Sequence, residues 1–174
     1  MKQTKLVSIL LIIATCLMVL AACDSNQQSA APSINPELVA AFGEEMIESE
    51  TEDISRLVNG LKDAYAQYQK DQDVYAFGCS IDDVMEGYTG YLEEISDELQ
   101  YMYQDESDKE RKMELLSLHS VSISYIAPKN SWDLYKFSIQ NDMTPNYTEQ
   151  EMAEKLCEYI DSISKFFYCQ PITN

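Results

Sequence analysis

The sequence predicts an all-α protein, an antiparallel bundle of four or five helices, on two observations. Apolar residues recur at alternating steps of four and three in two segments. One runs Ile81, Met85, Tyr88, Leu92, Ile95, Leu99, Met102, and the other Met152, Leu156, Tyr159, Ile163, Phe166. This spacing lays a stripe along one helix face, the seam of a helix packed in a bundle. In addition, helix-start signatures stand before the periodic runs, Asn35-Pro36-Glu37 and Thr148 with Glu151.

The elements follow in order. Asn35 caps, Pro36 takes the first helical position, and Ile34 can staple onto Val39. Leu38, Phe42 and Met46 repeat every fourth residue, and Ile54, Leu57, Leu61, Tyr65 and Tyr68 continue the face. An unbroken helix over 36–70 would be about 52 Å long. Ser49 with Glu52 offers a second capping box, so a break or kink is expected near 43–49. Ser80 is the expected cap of the second helix, with Asp82 and Asp83 at its positive end. Ser107 with Glu110 opens a third helix through 113–118.

The segment 119–140 has two readings. Val121, Ile123 and Tyr125 alternate with serines, and Tyr135, Phe137 and Ile139 alternate with polar residues, which is a strand period. A β-hairpin there would make the fold α+β. The same stretch gives a helical stripe, Leu116, His119, Ile123, Ile126, and Ser131-Trp132-Asp133-Leu134 resembles a helix start. The helical reading is preferred, because a two-stranded hairpin is marginal on its own. The last helix starts at the Thr148–Glu151 capping box, and Ala153, Cys157, Ile160 and Phe167 widen its stripe. Residues 71–79, 103–106 and 141–147 read as connections.

Signatures of catalysis and metal binding are absent. His119 is the one histidine, no C-x-x-C occurs, and no G-x-S-x-G elbow accompanies the serines. Asp71-Gln72-Asp73 starts like a calcium loop, but Ala76 and Asp82 stand where the EF-hand needs Gly and Glu. No catalytic residue, metal ligand or cofactor is therefore predicted, and the chain is expected not to be an enzyme. Cys157 and Cys169 lie about 18 Å apart on or just past one helix and cannot bridge unless it breaks. A disulfide between Cys79 and Cys169 is possible if the start of the second helix meets the end of the last.

Twelve tyrosines are the best binding clue. Tyr65 and Tyr68, and Tyr88 and Tyr91, are spaced to share helix faces. Gly87 and Gly90 flank the second pair, each costing up to about 1 kcal/mol in a helix. One reading is a kink that opens a tyrosine-walled pocket for a cationic ligand. The other is that the tyrosines are core and the glycines let two helices approach closely.

The N-terminus carries an address. Lys2 and Lys5 precede a 17-residue stretch from Leu6 to Ala22 interrupted only by Ser8, Thr15 and Cys16, and small residues close it directly before Cys23. That is the pattern of a secretory signal peptide. Its last residues, Leu20-Ala21-Ala22-Cys23, resemble the lipobox of bacterial membrane lipoproteins. The resemblance covers residues 1–24 and implies that Cys23 becomes the diacylated, for example palmitate-bearing, first residue of the mature protein. It also implies that Asp24 keeps the protein at the outer face of the cytoplasmic membrane. The alternative is an uncleaved anchor, for which the stretch just reaches spanning length. The expected organisation is a signal peptide over 1–22, a lipidated flexible tether over 23–34, a helical domain over 35–170 and a tail over 171–174.

Cleavage would leave all 30 acidic residues and only ten basic ones, a formal charge of −20. That argues against nucleic acid, whose phosphates need a Lys/Arg surface, and against adhesion to anionic lipid by the domain itself. Cationic partners are steered toward such a surface. The expectation is a lipid-anchored, extracytoplasmic binding domain for a cationic peptide or an envelope protein. The alternatives are a cell-envelope enzyme using carboxylates and a structural component of an envelope complex.

Overall fold

Seven helices and no strand make up residues 33–173, the part of the chain that the computed structural model describes. The expected signal peptide, the lipobox-like residues ending at Cys23, and the expected tether as far as residue 32 lie outside the described residues. The helices are α1 Pro36–Phe42, α2 Glu44–Asp71, α3 Val74–Met85, α4 Thr89–Asp105, α5 Lys109–Ser122, α6 Ile126–Gln140 and α7 Glu149–Tyr168. They belong to one unit spanning Ile34–Asn174.

The centre is α7, which packs on α2, α3, α5 and α6. Met152, Leu156, Tyr159, Ile163 and Phe166, the five residues of its predicted stripe, are all buried. Its capping box is formed as expected, with Thr148 and Glu151 exchanging bonds. Asn35 caps α1 by accepting from the Glu37 amide at 2.9 Å. It is itself buried and ties this start to the end of α7, donating from Nδ2 to the Phe166 carbonyl at 2.9 Å.

The break in the first helix falls at Gly43, whose φ of 88° closes α1 and opens α2. Ser49 is no cap; it lies inside α2 and its hydroxyl donates to the Met46 carbonyl. The break also shifts the register, so that Ile47 is buried and Met46 is exposed.

The second predicted helix is two helices. Asp73 caps α3, accepting from the Ala76 amide, so most of the expected connection 71–79 is helical. Ser80 sits inside α3 and back-bonds to Ala76. The chain turns at 86–88 and resumes as α4. The predicted seam survives the break, with Ile81 and Met85 buried from α3 and Leu92, Ile95 and Leu99 from α4. Likewise α4 runs through the expected connection 103–106 to Asp105, and Asp108 rather than Ser107 caps α5.

The hairpin alternative over 119–140 is not formed. The serines that imitate the polar face of a strand return their hydroxyls to helical carbonyls. Ser120 donates to Leu116 at 2.8 Å, Ser122 to His119 at 2.7 Å and Ser138 to Leu134 at 2.9 Å. The predicted inner stripe is also corrected: Leu115, Leu118, Ser122 and Tyr125 face the core, and Leu116, Ile123 and Ile126 face outward. Helix α6 begins at Ile126, not at Ser131, with Pro128 tolerated in the first turn. Residues 172 and 173 of the tail fold back onto α7. The Ile172 and Thr173 amides donate to Asp161 Oδ1 at 2.7 and 2.9 Å, and the Thr173 hydroxyl donates to Oδ2 at 2.7 Å.

Candidate functional site

A groove of about 750 Å³ lies between the end of α2, the start of α3 and the outer side of α7. Its shape follows from helical period. The inner row of α7 is committed to the core, so the adjacent row, Glu154, Cys157, Glu158 and Asp161, is turned toward α2. Glu149 extends this acidic wall at one end and Lys165 stands at the other.

The facing wall is aromatic. Tyr65 and Tyr68 come from the last turns of α2, their ring centroids 6.4 Å apart. Tyr68 stacks on the buried Phe77 of α3 at 4.6 Å with an interplanar angle of 11°. Burial raises the Tyr68 hydroxyl pKa, with Cys157 and Tyr65 adding to it. Cys157 is pushed up to about 11, first by burial and then by Asp161, Glu154 and Glu158. Its thiol therefore stays protonated at neutral pH, the opposite of an activated nucleophile.

The carboxylates differ in how they are used. Asp161 holds the folded-back tail, which places Thr173 at the groove. Glu158 pairs with Lys155 at 2.7 Å, and Gln150 donates to Glu154 at 3.2 Å. Four carboxylates line the groove with Lys165, Glu158 paired to Lys155 and Asp161 to the tail, and beside two ring faces they form a setting for an ammonium or guanidinium group.

The predicted ligand face, Tyr88 and Tyr91 with Gly87 and Gly90, lies outside this groove. Tyr91 stacks on Phe167 at 6.4 Å, and its hydroxyl pKa is raised to about 12 by burial and then by Glu50 and Asp53. Tyr88 directly precedes α4 and is half-buried. A Cβ added at Gly87 or Gly90 would meet nothing within 4 Å, so neither glycine serves a close approach. The tight glycines are Gly60, where a Cβ would come within 3.1 Å of Val84, and Gly78, where a Cβ would overlap the Trp132 ring. The groove uses the other tyrosine pair, Tyr65 and Tyr68. The spacing of Glu154, Glu158 and Asp161 was the available sign of the acidic wall.

Cys79, Cys157 and Cys169 are free thiols. The possible Cys79–Cys169 bridge rests on Cys79 standing at a helix start, but Cys79 lies in the interior of α3. Cys169 closes α7 in the left-handed conformation with φ 56°. His119 is half-buried, its ring centroid 5.3 Å from that of Tyr103. Among the described residues no group of three His, Cys, Asp or Glu is placed to hold a metal ion, and no helix is long and apolar enough to cross a membrane.

No protein-family profile matches the chain, and neither does any curated protein or solved structure.

Proposed function

We propose that this chain is a lipid-anchored, extracytoplasmic binding protein that takes up a cationic ligand in the groove between α2, α3 and α7. The observation that carries the reading is the pairing of Tyr65 and Tyr68 with the acidic row of α7 across one cavity. Its volume is that of a small-molecule site, or of one that takes one or two basic side chains of a peptide. The thiol in the groove is held protonated, which speaks against a cysteine nucleophile there. The anchor rests on Leu20-Ala21-Ala22-Cys23. A domain so acidic gains little from an anionic bilayer, so the acyl chains at Cys23 supply the attachment.

Calorimetry of the full chain with spermine and with a short oligolysine tests the groove. Saturable binding is expected, weakening with salt and falling about fivefold or more in E154Q/E158Q and in Tyr68→Ala. Equal affinity in those variants, or no saturable binding, overturns the reading. The anchor is tested separately by labelled palmitate and cell fractionation. Cys23→Ser should abolish labelling and either release the domain or leave an uncleaved precursor. Firm membrane attachment of a cleaved Cys23→Ser protein would refute it.

A further inference from the structure

From Leu116 of α5, through Ile123 in the turn, to the start of α6, the chain is apolar on a side that faces solvent. Leu116, Ile123 and Ile126 are 36%, 38% and 41% exposed. Leu134 and Phe137 lie within about 80° of Ile126 around α6 and are more than half exposed. The inward rows of both helices are already filled by Leu115, Leu118, Trp132 and Tyr135. Neither helix can therefore rotate to bury its outer row without exposing its inner one. Single exposed apolar residues are ordinary, but a row of them at helical spacing is not.

The rim of this row is acidic on one side. Glu93 and Asp97 of α4 share a depression of about 370 Å³ with Ile123 and Ile126. Exposed Glu94 and Glu98 extend the negative side of α4. A partner that covers the face must therefore set apolar side chains on α5 and α6 while bringing cations to α4. We infer that this face docks an amphipathic helix of a partner peptide, one with a basic stripe beside its apolar stripe. A second copy of this chain fits worse, because it carries the same large net negative charge and is repelled as a whole. An anionic bilayer meets the same repulsion. The inference is independent of the groove, since it uses none of the groove's residues.

The test uses the full chain in nanodiscs of neutral lipid, with empty nanodiscs as blank. The probe is a labelled Leu/Lys peptide of about 18 residues, five helical turns, with its two residue types on adjoining faces. A scrambled peptide of the same composition is the control. The ordered peptide is expected to bind saturably and gain helical circular dichroism, and the scrambled one to bind at least about tenfold more weakly. I123S/I126S should weaken binding by about tenfold or more. E93Q/D97N should weaken it and flatten its salt dependence. E154Q/E158Q should leave it unchanged, which separates this face from the groove. Unfolding midpoints of each variant establish that the loss is not one of folding. Equal binding of the scrambled peptide, indifference to I123S/I126S, or loss confined to the groove variant overturns the inference. So does sedimentation showing a self-associated chain that I123S/I126S dissociates, which would assign the face to a second copy.

Discussion

Gly78 is buried in α3 directly beneath the indole of Trp132, which is itself fully buried. The same indole donates from Nε1 to Asp82 Oδ2 at 2.8 Å, and Lys136 donates to that oxygen at 2.8 Å. One turn of α3 thus supplies both the space for the ring and the acceptor for its N–H. Gly78→Ala is expected to destabilise by about 1–3 kcal/mol, the usual cost of overpacking, read as a lower midpoint in urea. Gly87→Ala and Gly90→Ala meet open space and should be neutral or stabilise by up to about 1 kcal/mol. The sequence draws attention to the second pair, because glycine inside a helical period looks costly there. It gives no sign of the first, because the ring that requires Gly78 comes from a distant helix. Asp82 has the same history: its neighbours suggest an acid at a helix start, and its partners lie on α6.

Whole helices are legible where cap and period agree, and α7 is the clear case. Both signals are local, and its capping box and all five stripe residues take their predicted places. Boundaries fail where a serine is read as the cap, even at Ser80, which stands directly before a periodic run. Ser49, Ser80 and Ser107 look like caps, yet Ser49 and Ser80 lie within helices, and an aspartate next to Ser107 does the capping. A serine can satisfy itself on its own helix, so its presence does not mark a start. Asn35 differs because it also bonds the Phe166 carbonyl from a buried position. Asn35→Ala should cost about 1–3 kcal/mol, combining a lost cap with an unsatisfied buried carbonyl. Ser49→Ala should change stability by no more than about 0.5 kcal/mol. Thermal unfolding of the two variants side by side checks the contrast.

For the molecule as a whole, charge and burial set the response to solvent. The excess of carboxylates makes the folded state repel itself, so added salt should raise the thermal midpoint until screening is complete near about 0.5 M. Alkali should act in the opposite direction. Unfolded, Cys157 and Tyr91 release protons near 9.0 and 10.0; folded, they hold them to about 11 and about 12. Tyr159, buried with its hydroxyl unpartnered, is also shifted upward. Below about pH 9 these protons are bound in both states and the contribution is intact. Above it the unfolded chain binds fewer protons, so stability should fall as pH rises through 9–12. A denaturation midpoint that stayed flat to pH 12 would contradict the burial of these groups.

By itself the sequence determined the helical class, the inner rows of α3, α4 and α7, the net charge, and the N-terminal pattern on which the proposed anchor rests. Each is local: it depends on residue type, on caps, or on a 3.6-residue period confined to one segment. The tertiary structure alone decided which side of α5 faces inward, which glycines are tight, and that Tyr65 and Tyr68 oppose the acids of α7. Those outcomes depend on which helices pair. Pairing is chosen by the fit between surfaces far apart in the chain, such as a ring and the glycine that admits it, and no single helix's period records that fit.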